Sequence, residues 1–104
     1  MAPGGGVKLK LVHLSFHFEY NQVIERILDR HQVEDFVRYS MIESKDCDGK
    51  HFGTQVHPGN ASVVQALVEE ENLDDLLEDL EEFKKEKKSR HHLRAVVLPV
   101  ERVL

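Results

Sequence analysis

Apolar residues recur along this chain with two alternating spacings, every second residue as in strands and every third or fourth residue as in helices. The first segment is predicted at residues 7–18, where apolar side chains occupy both parities: Val7, Leu9, Leu11, Val12, Leu14, Phe16 and Phe18. A strand that is apolar on both faces is typical of the centre of a sheet. We therefore expect this strand to be central.

The spacing then changes to that of a helix between Asn21, a suitable N-cap, and about His31. Its apolar positions are Val23, Ile24, Ile27 and Leu28. Residues 36–42 and 61–68 are rich in β-branched and apolar side chains and are predicted to form paired strands. The connection between these strands, at residues 44–60, is longer than most loops of compact domains and is the first candidate for a functional segment.

A second helix is the clearest prediction. Asn72 can cap it, the acidic residues that follow lie at its positive end, and the lysines of residues 84–88 lie at its negative end, as the helix dipole favours. Its apolar stripe consists of Leu73, Leu76, Leu77, Leu80 and Phe83. A last strand is predicted at residues 93–100, and Pro99 indicates that it ends at a sheet edge or terminus.

The order βαββαβ predicts an α+β fold, a ferredoxin-like sandwich in which both helices cover one face of a four-stranded antiparallel sheet. The 104 residues favour one domain over residues 7–104, after a flexible glycine-rich leader at 1–6. Because the first and last strands are apolar on both sides, the second face also needs a cover. Self-association is the simplest cover, and a monomer with a moderately apolar second face is the alternative.

Charge and cysteine content narrow the range of partners. A formal net charge of −5 argues against nucleic acid, which is bound through clustered basic residues. Cys47 is alone and cannot form an internal disulfide, so a reducing compartment fits best. The longest apolar stretch, near residues 95–98, is far shorter than the roughly 20 residues that span a bilayer. We expect a cytoplasmic protein without a membrane-spanning segment.

Two segments resemble the PII-like signal-transduction superfamily. Residues 51–60 read His-Phe-Gly-Thr-Gln-Val-His-Pro-Gly-Asn, and residues 95–103 read Ala-Val-Val-Leu-Pro-Val-Glu-Arg-Val. The Leu-Pro-Val-Glu ending is similar to the last strand of nitrogen regulatory PII proteins, and Pro-Gly-Asn to uncharacterised PII-like relatives. The resemblance implies a homotrimer with inward-facing sheets and ligand clefts between subunits. It also implies that the 44–60 loop, the T-loop, contacts a regulated protein target.

The same resemblance implies candidate ligand-binding residues. The Phe-Gly-Thr-Gln segment is similar to the T-loop region in which a glutamine helps hold the metal of Mg-ATP, which selects Gly53, Thr54 and Gln55. PII proteins also carry a glycine-rich phosphate loop before the last strand and arginines after it, whereas residues 84–94 contain no glycine and the chain stops at Leu104. Nucleotide binding in the PII manner is therefore not predicted. The basic run could instead attract an anionic ligand or only complement the helix dipole, and its candidates are Lys88, Arg90 and Arg94.

A metal-binding trimer is the alternative function, because the divalent-cation-tolerance proteins share this trimeric architecture. The loop residues Cys47, His51 and His57 could converge, and thiolate with imidazole suits zinc or copper. His13 and His17 lie about 13 Å apart on one strand and are too distant to bind one ion. The cofactor stays open between a nucleotide and a divalent metal.

Catalysis finds little support in the sequence. The segment after the first strand offers no arginine or glycine for a phosphate cradle. Ser15 alternates with His13 and His17 on one strand, a spacing that does not bring a base onto the hydroxyl. We predict a regulatory or binding protein and not an enzyme.

Overall fold

A computed structural model describes residues 8–42, 61–86 and 93–104. The predicted leader lies outside these ranges. The elements are, in chain order, strand β1 (Leu9–His17), a 3₁₀ turn (Phe18–Tyr20), helix α1 (Asn21–Arg30), strands β2 (Phe36–Ile42) and β3 (Ala61–Glu69), helix α2 (Glu70–Glu86) and strand β4 (Arg94–Pro99). The predicted order βαββαβ is confirmed, with a 3₁₀ turn that the sequence pattern did not indicate.

The four strands form one antiparallel sheet in the order β2-β3-β1-β4. Strand β1 is central, as its two-sided apolar pattern predicted, and β4 lies at an edge, as Pro99 indicated. An irregularity in the register between Tyr39 and Ile42 interrupts the pairing of β2 with β3. This topology confirms the predicted α+β, ferredoxin-like fold.

The core lies between one face of the sheet and the two helices. Strand β1 contributes every second residue, Val12, Leu14 and Phe16, and β3 contributes Val64, Ala66 and Val68. The helices contribute the rest of the same buried cluster, mainly Ile24, Ile27, Leu28, Leu76, Leu80 and Phe83. Leu73 and Leu77 pack against it while partly exposed, so the predicted apolar stripe of α2 is confirmed. Burial of these aliphatic side chains is the main stabilising contribution.

Both predicted N-caps are wrong. Helix α1 begins at Asn21 itself, and Tyr20 occupies the cap position without a side-chain hydrogen bond, because the 3₁₀ turn fills the space before the helix. Helix α2 begins at Glu70, two residues before Asn72. The strand β3 runs directly into it, and the Glu70 N–H donates to the Lys8 carbonyl over 2.8 Å. Neither helix in the described ranges is long and apolar enough to cross a bilayer.

The end of α1 is fixed by a Schellman motif. Gln32 adopts a φ of 63°, and its N–H donates to the Asp29 carbonyl over 3.0 Å while the Val33 N–H donates to the Leu28 carbonyl over 2.9 Å. These two bonds satisfy carbonyls that the helix leaves without intrahelical partners. The motif turns the chain so that the buried Val33 joins the core before β2 starts.

A carboxylate on α2 links the two helices. Asp79 Oδ2 lies 2.8 Å from His31 Nε2 and accepts a hydrogen bond from Arg30 Nη1 over 3.0 Å. The side chains of His31 and Asp79 are only 18% and 20% exposed to solvent, whereas that of Arg30 is 60% exposed. The His31 contact is therefore the better shielded of the two.

Candidate functional site

The sheet face turned away from the helices, here called the open face, is lined mainly by apolar and uncharged side chains. The register places them in three rows across the sheet: Leu98, Leu11 and Leu67; Val96, His13, Gln65 and Val37; Arg94, Ser15, Val63 and Tyr39. Several of its large apolar side chains are strongly exposed, at 53% for Val37, 49% for Tyr39, 37% for Val96 and 47% for Leu98. A contiguous apolar patch of this kind marks a contact surface more often than a solvated one.

Charged side chains lie only at the two ends of this face among the strand residues that the structure describes. Arg94 begins β4 at one end, opposite Ser15. Glu69 ends β3 at the other end, opposite Leu9. Interface centres are depleted of charge in the same way, while their rims are polar. The open face therefore has the composition of a protein contact surface.

The centre of the open face carries a polar pair. Gln65 Nε2 lies 3.5 Å from His13 Nδ1, across the β1-β3 pair. An amide N–H can only donate, so this contact is a hydrogen bond when Nδ1 accepts, which requires the tautomer of the neutral ring with its proton on Nε2. Both side chains are half-buried. The pair thus holds the ring orientation on a face that is otherwise apolar at its centre.

Several chain segments meet at one end of the sheet, here called the loop end. Strand β1 ends there at His17, where it pairs with Ala61 at the start of β3, and β2 ends beside the same Ala61. Strand β4 starts at this end, with Arg94 opposite Ser15. The described residues Ile42 and Ala61, which flank residues 43–60, and Arg94, which begins β4, therefore lie at the same end. Residues 43–60 and 87–92 themselves lie outside the described residues.

Aromatic side chains cover part of the loop end. The His17 ring lies 4.9 Å from that of Phe18 between centroids, and Tyr20 meets Phe83 edge to face at 5.2 Å. His17 Nδ1 lies 3.2 Å from both the Glu19 N–H and Glu19 Oε1. A neutral ring nitrogen can accept from the N–H, and a protonated one can donate to the carboxylate, so the two contacts belong to different states of the ring. Phe83 is buried and Tyr20 packs against the core, so Phe18 is the exposed phenyl ring at this end of the sheet, where Arg94 is also exposed.

The predicted site residues are divided between described and undescribed segments. Arg94 is described, and it lies at the start of β4 on the open face. The other candidates for a ligand or a metal lie outside the described residues: Gly53, Thr54, Gln55, Lys88, Arg90, Cys47, His51 and His57. No three potential metal ligands group together within the described ranges. Sequence reasoning missed the contact of Tyr20 with Phe83, because the pattern gave no signal that the 3₁₀ turn would face the end of α2.

Two cavities lie away from the loop end and have a different chemistry. One, of about 280 Å³, is at the opposite end of the sheet and is lined partly by Glu34, Asp35 and Glu69. The other, of about 460 Å³, lies beside α1 and is lined partly by Glu25, Asp29 and Glu34 together with the cation Arg26. Carboxylates outnumber cations in the lining of both, so both cavities are net acidic and suit an anionic ligand less well than the loop end does.

Comparison with known proteins supports the fold assignment. No protein-family model matches the chain, and no curated protein sequence matches it. Solved structures do match. CPII, a nitrogen regulatory PII-like protein from Thiomonas intermedia K12 bound to ADP, AMP and bicarbonate, gives a TM-score of 0.69 at 18% identity, covering 89% of this chain and 92% of its own.

Two further structures extend this similarity. A candidate PII-like signalling protein from Thermus thermophilus gives a TM-score of 0.62 at 19% identity over 90% of this chain and 87% of its own. CutA1 from Oryza sativa gives a TM-score of 0.63 at 16% identity, covering 94% of this chain and 84% of its own. The chain therefore has the fold of the PII-like proteins over nearly its whole length. Identities this low establish the fold, and function has to be argued from the site.

Proposed function

We propose that the protein is a PII-like regulatory homotrimer of the cytoplasm, in which the open faces of three subunits point inward. A small anionic effector would bind at the loop end, in the clefts between subunits. Its binding would reorder the 44–60 loop, which would then bind or release a target protein. The proposed role is regulation and not catalysis.

The open face is the observation that carries the proposal. Its exposed apolar side chains, Val37, Tyr39, Val96 and Leu98, stand on the two edge strands of one sheet, on either side of its centre. A chain with a formal net charge of −5 that leaves the centre of one face without charge has a surface suited to copies of itself. The resemblance to the PII-like superfamily supports a trimer over other closed assemblies.

The loop end supports the ligand part of the proposal. The sequences of the undescribed segments 43–60 and 87–92 contain Gln55, Lys88 and Arg90. The described residues that flank these segments at this end of the sheet are Ile42, Ala61 and, two residues after 87–92, Arg94. Arg94 and the exposed ring of Phe18 lie at the same end of the sheet. A cation and an aromatic ring at one end suit an anion that carries a planar group, such as an adenine nucleotide. The similar protein CPII is bound to ADP, AMP and bicarbonate, so these molecules are the first effectors to test.

A divalent-metal-binding trimer is the second candidate function. The similarity to CutA1 supports it, and Cys47, His51 and His57 in the 44–60 loop would supply the thiolate and imidazole ligands. Substitution of Cys47 by Ser and His51 by Ala would abolish zinc binding if this function is correct. Those changes would leave an anion site at Arg94 intact.

Native mass spectrometry separates the two functions. The purified protein is measured alone and after addition of ADP, AMP, bicarbonate or zinc, with up to three copies per trimer expected for the correct ligand. Arg94→Gln should weaken a bound anion by about tenfold or more, because it removes a charge-assisted hydrogen bond. Gln22→Lys, at an exposed position of α1, is the control.

Each outcome of this experiment has a definite meaning. A trimer that binds a nucleotide or bicarbonate supports the sensor function. A trimer that binds only zinc, through Cys47 and His51, replaces it by the metal function. A monomer in every sample contradicts both, since each depends on the inward-facing sheets.

A further inference from the structure

An imidazole occupies the middle of the open face. His13 stands on the central strand β1, opposite Val96 on β4 and Gln65 on β3. Its neighbours on the same face of β1 are Leu11 and Ser15. Histidine is the side chain that ordinarily changes its charge between about pH 5 and 8. The surface proposed to join the subunits therefore has a titratable group at its centre.

We infer that His13 makes self-association depend on pH: the subunits assemble through the open face while the ring is neutral and separate when it is protonated. The inference rests on the proposed homotrimer. It adds a regulatory input, the proton concentration, to the ligand input at the loop end.

Desolvation gives the direction of the effect. In the free subunit His13 is half-buried and reaches solvent, so its charged form is hydrated. Covering the open face with a second apolar face removes that water, and burying an unpaired cation costs several kcal/mol after relaxation. Symmetric assembly would also repeat the charge in each subunit. Both contributions oppose association only in the protonated state.

The hydrogen bond to Gln65 acts in the same direction. The amide N–H faces His13 Nδ1 at 3.5 Å, and a neutral ring can accept it. A protonated ring presents an N–H at both nitrogens, so donor would face donor until the Gln65 amide turned to offer its oxygen. Protonation thus disturbs the centre of the face as well as charging it.

The surrounding charges do not neutralise a protonated His13. From β4, Arg94 is a diagonal neighbour and a cation. On β2, Tyr39 lies two strands away from His13 and one row nearer the loop end. On β1, His17 lies four residues after His13 on the same face. Two carboxylates lie toward the other end of the described sheet. Glu69 lies opposite Leu9, four residues and about 13 Å along the strand from His13. Asp35 precedes β2 and its backbone carbonyl accepts from the Leu67 N–H, so it is two strands away from His13.

Linkage sets the size of the effect. If each subunit takes up one proton on separation, the association constant falls by up to about tenfold per subunit for each pH unit below the titration range of the ring. For three subunits the decrease approaches about a thousandfold per pH unit. A group buried as a neutral base favours assembly at high pH and opposes it at low pH, so the loss occurs on acidification.

The test measures molar mass by light scattering after gel filtration at about pH 8, 7, 6 and 5.5, across the range in which histidine titrates. Far-ultraviolet circular dichroism at each pH verifies that the subunits stay folded. The variants are His13→Gln and His13→Asn, which keep a polar amide but do not titrate. His31→Gln, which removes an imidazole held by Asp79 between the helices, is the matched control.

The inference predicts that wild type and His31→Gln are trimeric at about pH 8 and dissociate progressively into folded monomers as the pH falls to about 5.5, while at least one His13 variant stays trimeric throughout. A wild type that stays trimeric at every pH overturns the role of His13 and leaves the trimer standing. His13 variants that dissociate over the same pH range as wild type also overturn the role of His13 and leave the trimer standing. If both His13 variants are monomeric at all pH values, the dissociation constant of the wild-type trimer is compared at two pH values. A wild-type dissociation constant that is the same at both overturns the inference. A monomeric wild type at about pH 8 overturns both the trimer and the inference.

Discussion

A single charge on the open face should separate the subunits without unfolding them. Leu98 stands on the edge strand β4, opposite Leu11, and retains 47% of its exposure. Replacing it by Lys places an ammonium group in the row of three leucines. In the isolated subunit the new side chain can reach water, and a substitution at such a surface position costs less than about 1 kcal/mol of stability.

The assembled state should respond much more strongly. Full burial of a leucine is worth about 1.5–3 kcal/mol, so the half of Leu98 that is still exposed (47%) contributes about 1 kcal/mol when a partner covers it. The unpaired ammonium group adds a desolvation cost of several kcal/mol. A total of at least about 3 kcal/mol per subunit corresponds to more than a hundredfold weaker association for each subunit.

Gel filtration with light scattering gives the molar mass of Leu98→Lys, and thermal unfolding followed by circular dichroism gives its stability. The control is Gln22→Lys, which adds the same charge at an exposed position of α1. We expect a monomer for Leu98→Lys and a trimer for wild type and control. A trimeric Leu98→Lys with unchanged affinity would refute the assignment of the open face as the subunit interface.

Three further predictions concern the fold. Gln32→Gly should raise the free energy of unfolding by about 0.5–1 kcal/mol in denaturant titration, because glycine adopts the φ of 63° without Cβ strain; a loss of stability would contradict this. Ser62→Ala should be neutral or stabilising by up to about 1 kcal/mol, since the buried Ser62 hydroxyl has no hydrogen-bond partner among the described residues; clear destabilisation would reveal a partner. Asp79→Ala should lower the free energy of unfolding by about 1–2 kcal/mol, because it removes the acceptor for His31 and Arg30. A similar decrease in His31→Gln, with little change in Arg30→Gln, would assign the effect to the shielded His31 contact, and an unchanged stability in Asp79→Ala would contradict the prediction.

Local patterns predicted the elements well because burial on one side of a strand or helix leaves a period in the sequence. The strand β2 was predicted with its observed bounds, and β1, β3 and β4 differ by one or two residues. The helix starts were predicted less well. Asn21 and Asn72 have suitable side chains for caps, but the 3₁₀ turn before α1 and the direct passage from β3 into α2 decide where the helices begin. Those features depend on contacts between elements distant in sequence.

The candidate site divides in the same way. The two-sided apolarity of the first strand predicted that a second sheet face would need a cover, and the basic run pointed to Arg94. The sequence could not indicate that His13 would stand beside Gln65, 52 residues away, at the centre of that face. It also could not indicate the contact between Tyr20 and Phe83 at the loop end. Pairings of this kind follow from strand register and helix packing.

The sequence by itself therefore determined the fold class, the central position of β1 and the residues of the core, because each depends on hydrophobic periods that are local. The tertiary structure decided which side chains share the open face, where its charges lie and which segments meet at the loop end. The physical reason is that an antiparallel register brings residues together by their distance from the turns and not by their separation in the chain.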